Sequence, residues 1–518
     1  MKRQRSDYPW WTLLRDEIIA NEGLIHPNLD FSYSSRDLIV NKKICKDKIL
    51  IKIPCSNFIT KKKALSMCPS LKYILEPTVD ISPSPPSYTT TVTDLAIAVG
   101  MAFQSSDNLL YLQSLPESSS FDTLPRRWGD TTIRDMLAGT TLLEPVMAAK
   151  KGVFEDYNTM LQRYQNFIKK MKTIDSLDGD NKNNGTTNTA LLFPSFEKFS
   201  DMLAAVTSRA FQITDDDVAI IPILDLGNHI RGKATTKSGR KNVSYQYDTT
   251  TGFMVVKSVV DIDADECIRL TYGAKSNDQL LLNYGFCIPR NIEPDGSSND
   301  ILNLKVLSGD SNSSGGKIII LRAGPKSYSY GGFAAALEEI YAQFVNYGVD
   351  NNIDNTTDVS HEGNSNGESD DIDFEDYLNQ CEHDGEDGDD FTDLYKVQDS
   401  QDMEKLCSEE MEALKRFKQT LILMSGFYNS YKYTDFQTMP PAVKSGYSLA
   451  RMYSTVLSTS ELRTIYFFVR VIEKVQQALY PNTNSPTGSM DILTDQEDLD
   501  MIEKQTNDLA NTYMAIRH

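Results

Sequence analysis

Two stretches of this sequence end buried-strand patterns in polar residues that a simple core does not need. The first runs Ile220-Ile221-Pro222-Ile223-Leu224 and turns into Asp225-Leu226-Gly227-Asn228-His229. The second runs Glu266-Cys267-Ile268-Arg269-Leu270 into Thr271-Tyr272-Gly273-Ala274-Lys275-Ser276-Asn277, and continues through Leu280-Leu281-Leu282 to Asn283-Tyr284-Gly285-Phe286. Their side chains are phenols, amides, an imidazole and a carboxylate, groups suited to holding and orienting a bound molecule. Material for metal chemistry is poor. Seven cysteines stand scattered at 45, 55, 68, 267, 287, 381 and 407, never as C-x-x-C, so neither a disulfide framework nor a structural zinc site is expected. Three of the five histidines lie in an acidic tract or at the C-terminus, and no metal is expected.

The elements that must position these segments read as mixed α and β with a helical end. Trp10 to Ile25 has near-helical apolar spacing. Leu38-Ile39-Val40 and Ile49 to Pro54 read as strands across a lysine-rich turn. Thr93 to Tyr164 is mostly helical, with Pro116 and Pro125 marking loops, and residues 175–189 read as a polar, low-complexity, disordered loop. Phe199, Met202, Leu203 and Val206 line one face of a further helix. Ile220 to Leu224 is a buried-strand candidate, and Val243–Tyr247 and Gly252–Val260 are strands. Leu302–Leu307 and Lys317–Leu321 are two more, flanking a polar turn at Ser308–Gly316. In the last third Met403, Met411, Leu414, Phe417, Leu421 and Met424 form one stripe. Ser458-Thr459-Ser460-Glu461 reads as a capping box opening a second helix with Leu462, Ile465, Val469, Ile472 and Val475 inward.

The chain has 518 residues, enough for two or three domains, with 40% hydrophobic and 24% charged residues as in ordinary soluble proteins. No run of 18 apolar residues is present, so no membrane span is expected. The start, Met1-Lys2-Arg3-Gln4-Arg5, lacks the apolar stretch of a signal peptide, and a cytosolic or nuclear protein is expected. The net charge of −20 is local: residues 350–390 hold 16 Asp or Glu and no Lys or Arg, and setting those 16 aside leaves about −4. A basic face for nucleic acid gets no support from this balance, and no nucleic-acid partner is expected. The acidic tract, within an insertion at about 350–400, reads as disordered.

The two segments together resemble the SET domain, in its D-L-x-N-H and Y-G-x-[KR]-S-N-x-x-L-L-x-x-Y-G-F forms, as found in the branch that includes the Rubisco large-subunit lysine methyltransferase. Ser208-Arg209-Ala210-Phe211 is similar to that branch's S-R-A-F helix. Tyr111-Leu112-Gln113-Ser114-Leu115-Pro116 and Leu137-Ala138-Gly139-Thr140 are similar to its helical insert. The resemblance implies an α+β fold: a knotted β-core split by a helical insert, then an all-helical C-terminal domain. It divides the chain into a first part of the core (1–92), the insert (93–205), the second part of the core (206–300) and a substrate-binding region (301–518). It also implies S-adenosylmethionine as cofactor, a lysine of a non-histone protein as acceptor, and a monomer.

Roles follow position by position. Tyr272 stands at the catalytic tyrosine, and Arg36, Asp37, Leu38, Asn228 and His229 at cofactor-binding positions. Arg209, Phe211, Asp225, Tyr245 and Tyr284 stand at positions lining the junction of cofactor and lysine channel. The chemistry is consistent with these residues. A lysine of pKa near 10.4 is neutral about four times in ten thousand at pH 7, so freeing its lone pair costs about 4–5 kcal/mol unless the site desolvates it. Placement and a dry channel are then the main needs. Phe211 stands where a related actin-histidine branch has Asn, and an apolar ring there favours an aliphatic lysine stem. The sequence departs from the family at the N-terminal strand, where Ser35 and Asp37 replace the glycines of a G-x-G-x pattern, and Asp tolerates positive φ better than most residues. That departure keeps a non-catalytic scaffold open, and histidine methylation is a third alternative. The loop Arg231–Lys241 is basic enough to steer an acidic substrate, or is simply solvated.

Overall fold

The computed structural model describes residues 9–33, 36–75, 88–102, 111, 114–177, 192–214, 217–230, 241–306, 317–350, 400–426, 428, 446–479 and 496–517. The 175–189 loop (beyond residue 177), the turn at 308–316, the acidic tract past residue 350, the basic loop at 231–240 and Ser35 lie outside the described residues.

The expected lead-in helix is α1 (Pro9–Ala20), which buries Trp10, Trp11, Leu14 and Ile18. It ends beside Gly23, where a Cβ would meet Ile18 Cγ2 at 2.5 Å and the Lys52 carbonyl at 2.7 Å, so only glycine lets the chain turn there. The turn leads into β1 (Leu24–Ile25), β2 (Leu29–Ser32), β3 (Asp37–Val40) and β4 (Ile49–Pro54). β2 and β3 form a hairpin, while β4 pairs with β1 and with a strand some two hundred residues later.

Helices follow: α2 (Lys61–Met67), α3 (Lys72–Leu75), α4 (Tyr88–Ala102), α5 (Asp130–Met136), α6 (Leu143–Leu177) and α7 (Phe196–Arg209). Thr60 and Ser195 cap α2 and α7 by accepting from the N–H three residues on. The α7 face of Phe199, Leu203 and Val206 packs on Leu95, Ala96 and Val99 of α4, as its spacing predicts. The S-R-A-F motif is not wholly helical: α7 stops at Arg209, and Ala210 opens β5 (Ala210–Thr214), paired with β6 (Asp217–Ile220). Phe211, Ile213 and Thr214 favour an extended chain, and the β6 partner decides it.

The expected strand Ile220–Leu224 also ends early, at Ile220. Pro222 has no N–H to give a ladder, and Ile223 lies at φ 72, ψ −47, a strained turn conformation for a β-branched residue. Beyond it come β7 (Asn228–His229), β8 (Val243–Asp248), β9 (Phe253–Ser258), β10 (Arg269–Leu270) and α8 (Asn277–Tyr284). The main sheet has the order β1-β4-β9-β8, all antiparallel. Its inner residues Ile51, Ile53, Met254 and Val256 join Trp10, Trp11 and Phe31 in one core.

The C-terminal region is helical: α9 (Lys326–Asp350), α10 (Ser400–Gly426), α11 (Gly446–Leu479) and α12 (Gln496–Arg517). It is not all-helical, because the hairpin β11 (Ile301–Val306) and β12 (Lys317–Arg322) packs Leu302, Leu304 and Leu321 into the same core as Phe333, Phe417 and Phe468. The capping box read at Ser458–Glu461 is overturned. These residues lie inside α11, where Ser458 and Thr459 hydroxyls donate to carbonyls four residues back. Glu461 is buried and turned outward from the helix to other segments, accepting from the Thr141 N–H and hydroxyl and from Tyr428. A capping box does exist, at Ser276 and Gln279 at the start of α8, where the Ser276 N–H donates to Gln279 Oε1 at 3.3 Å. No helix among the described residues is long and apolar enough to cross a membrane.

Candidate functional site

β7 and β10 pair in parallel, Asn228 opposite Arg269 and His229 opposite Leu270, which sets the two polar segments side by side. Both strands are two residues long. Asn242 reinforces them, accepting from the Arg269 N–H at 2.7 Å and donating to the Cys267 carbonyl at 2.8 Å. Just past the pair, the Tyr272 N–H donates to His229 Nδ1 at 2.9 Å. Burial, with Lys275 adding to it, lowers the imidazole to about 4, so His229 is neutral and keeps its proton on Nε2.

The Tyr272 ring lies between two others, 4.9 Å from His229 and 4.8 Å from Tyr284, both stacked. Phe286 stands 6.2 Å from His229 and from Tyr284. Gly285 at φ 76 ends α8 in the left-handed cap and so sets Tyr284 and Phe286 on either side of the turn. The Tyr272 hydroxyl donates to the Gly227 carbonyl at 3.0 Å. Burial pushes it up to about 12, so it stays a neutral phenol whose oxygen can still accept. Gly227 itself has no room for a side chain, since a Cβ would meet Leu270 Cδ2 at 2.3 Å.

Arg209, at the end of α7, donates from Nη1 to Asp225 Oδ2 at 2.9 Å and to the Asp225 carbonyl at 3.1 Å. The same oxygen accepts from the Tyr111 hydroxyl at 2.5 Å, while Asp225 Oδ1 is buried and finds no hydrogen-bond partner among the described residues. Burial raises Asp225, against the pull of Arg209 and Tyr111. Burial also opposes the charge on Arg209, but Asp225, Tyr111 and Tyr272 together outweigh it and hold the guanidinium above its ordinary value. The strained Ile223 sits two residues before Asp225 and fixes the turn from which it projects.

The first cofactor-binding candidates lie at the same place. Arg36 takes the positive φ (61°) at the β2–β3 turn, a conformation expected of the substituted glycine positions; Asp37 is ordinary strand, opposite Ser32. Arg36 donates to the Ser114 carbonyl at 2.5 Å, and burial and then Arg209 lower its pKa. The Asp37 carboxylate accepts from the Asn228 amide, and Cys267 Sγ lies 3.6 Å from its other oxygen. Leu38 is in the core; its carbonyl accepts from the Ile268 N–H at 2.8 Å. Phe211 on β5 and Tyr245 on β8 meet edge to face at 5.5 Å, and the Tyr245 hydroxyl is 3.5 Å from the Thr271 carbonyl.

The residues singled out in the sequence thus form one linked group through Asn228, Asp225, Tyr272 and the strands beside them. Sequence reasoning gave no site role to Tyr111, which touches Asp225, nor to Phe286, which closes the aromatic row. For Tyr111 the signal was present in the Tyr111–Pro116 motif, but nothing local ties it to a residue 114 positions away.

Comparison with known proteins places this geometry. The structure is similar over 92% of the chain to the SET domain of LSMT bound to lysine and AdoHcy, with a TM-score of 0.57, 14% identity and 93% of that chain covered. It is similar to Rubisco LSMT bound to AdoMet with a TM-score of 0.55 and 15% identity, over 92% of this chain and 94% of that one. The chain has the SET fold. At these identities the likeness speaks for the fold, and it spans both the SET core and the helical region after it. The sequence also matches an actin-histidine N-methyltransferase of Rhinolophus ferrumequinum, 26% identical over 188 residues, 35% of this chain. This chain spans 27% of that enzyme's length. No family model matches the chain.

Proposed function

We propose that the chain transfers a methyl group from S-adenosylmethionine to a lysine side chain of a non-histone protein. The observation that carries the reading is Tyr272, kept a neutral phenol by burial, hydrogen-bonded to the Gly227 carbonyl and fixed between His229 and Tyr284 beside the Arg209–Asp225 pair. The residues suit the cofactor. Stacked aromatic faces attract a sulfonium, and Arg36 and Asp37 offer both signs of charge to an amino-acid group. Asn228 and His229 present the short strand beside them. When bound, the cofactor supplies a methyl group on a positively charged sulfur.

The chain's own residues prepare the amine. Phe211, Tyr245 and Tyr284 give apolar walls for an aliphatic stem, and a desolvated ammonium gives up its proton more readily. The Tyr272 oxygen, its hydrogen already donated to Gly227, accepts from the amine and directs the lone pair. The new N–C bond forms as the S–C bond breaks, its electron pair staying on sulfur; the displaced proton leaves to water. Residues 1–300 would be the catalytic part, with the insert at 93–205, and 301–518 the substrate-binding part of a monomer of cytosol or nucleus.

Incubation with labelled S-adenosylmethionine and a cell extract should label a protein band, and Tyr272→Phe should abolish the label. No labelled band across varied extracts would count against transfer. Two other readings each have a supporting observation. The actin-histidine relative favours histidine, which would appear as methyl-imidazole after hydrolysis of the product. The Asp37 carboxylate engaged by Asn228 favours a scaffold, which would bind no S-adenosylmethionine even at millimolar concentration.

A further inference from the structure

The insert reaches the site at Tyr111 and Ser114, and there it closes a ring of hydrogen bonds. Tyr111 donates to Asp225 Oδ2, and Ser114 Oγ donates to the Tyr111 carbonyl at 2.6 Å. The Ser114 carbonyl accepts from Arg36, the neighbour of Asp37, which accepts from Asn228. Asn228 lies three residues after Asp225. Three segments distant in sequence are thereby tied together, and Tyr111 and Ser114, both buried, are the insert's share. A tyrosine kept only as core packing needs some partner for its hydroxyl. This one shares a carboxylate oxygen with a guanidinium and leaves the carboxylate's other oxygen buried and, among the described residues, without a partner. A buried polar atom in that condition calls for an explanation, and an absent ligand is one.

We propose that Tyr111 is a positioning residue for methyl transfer: its hydroxyl fixes the Asp225 carboxylate with Oδ2 occupied and Oδ1 left as an acceptor for the substrate amine. This rests on the methyltransferase reading above and adds the insert to that site. The groups facing Asp225 are Arg209 from the end of α7, Tyr111 from the insert, and Tyr272 beyond β10. Arg36 from the β2–β3 turn, with Glu117 near it, completes the set among the described residues. A donor to the charged carboxylate favours its charged form, so removing the phenol hydroxyl favours protonation, and a protonated Asp225 no longer offers the amine an anion.

The test is Tyr111→Phe, which keeps the ring, measured beside Asp225→Asn and the double variant. Tyr111→Phe should lower kcat about tenfold with the KM for S-adenosylmethionine little changed, and should move the acid limb of the pH profile to higher pH. On the Asp225→Asn background it should cost nothing further. Ser114→Ala gives the same direction more weakly and serves if Tyr111→Phe folds poorly. Independently of turnover, the Asp225 carboxyl carbon, assigned in the selectively labelled full-length protein by its loss in Asp225→Asn, should titrate at higher pH in Tyr111→Phe. An unshifted titration overturns the proposal, as does wild-type activity retained by Tyr111→Phe with the same pH profile. An inactive wild type with a shifted titration would sink the proposed reaction but leave the hold of Tyr111 on Asp225 standing.

Discussion

Two buried carboxyl groups in this molecule are satisfied in different ways. Asp225, in the candidate site, faces the Arg209 guanidinium and the Tyr111 hydroxyl. Glu461, where α11 meets the insert, is held by neutral donors: the Thr141 N–H at 3.2 Å, the Thr141 hydroxyl at 2.8 Å and the Tyr428 hydroxyl at 2.7 Å. Burial pushes Glu461 up to about 8, further than these three donors pull it down. Asp300, nearby, is pushed to about 7 in the same way, and each is also raised by Asp278. A carboxylate kept beside a cation can act as an anion, whereas one kept among neutral donors holds its proton and works as a joint. The contrast separates a site built for charge from a seam built to avoid it.

The largest effect should come from taking the cation away. Arg209→Met leaves a buried carboxylate unpaired and should cost about 3–5 kcal/mol in urea unfolding at pH 7. If the unfolding midpoint did not move, Asp225 would already be protonated and the contrast would vanish. Next comes Glu461→Gln. The folded pKa of about 8 lies above the ordinary 4.5, so the folded chain keeps a proton that the unfolded chain releases between those values. Stability therefore falls as pH rises from about 4.5 to about 8, and the amide removes that loss. Relative to wild type, the variant should gain on the order of 3 kcal/mol between pH 5 and pH 8. Parallel pH curves for the two proteins would refute a proton on Glu461. The smallest effect belongs to Tyr428→Phe, about 1 kcal/mol at neutral pH. It should also carry the falling limb to higher pH, because a donor that favours the carboxylate is gone; a limb that stays in place would show that Tyr428 does not tune Glu461.

The sequence made the β7–β10 neighbourhood legible because both strands carry their polar residues within one motif each. Asn228, His229, Tyr272 and Tyr284 meet in the structure as those motifs suggest. The α7 face and the C-terminal stripes were readable from spacing alone, since a buried helix face repeats. What stayed hidden depends on partners. Ser458–Glu461 has the local pattern of a helix start, yet α11 begins at Gly446, and Glu461 points to Thr141, 320 positions away. Ile223 looks like strand by residue type, yet it stands at positive φ in the turn that leads to Asp225. Arg36 takes the left-handed position at a turn where the sequence pattern drew attention to its neighbours.

The ring through Arg36, Ser114, Tyr111, Asp225 and Asn228 also sets an order of events at the ribosome. Its closing bonds span 78, 114 and 191 residues. β4 must wait for β9, whose Lys257 pairs with Ile49. A nascent chain that has emerged as far as α7 therefore has its first seven helices but neither its main sheet nor this ring. Until β9, ending at Ser258, follows, β4 offers an open edge to other chains, so slow synthesis through the insert lengthens the period in which aggregation competes with folding.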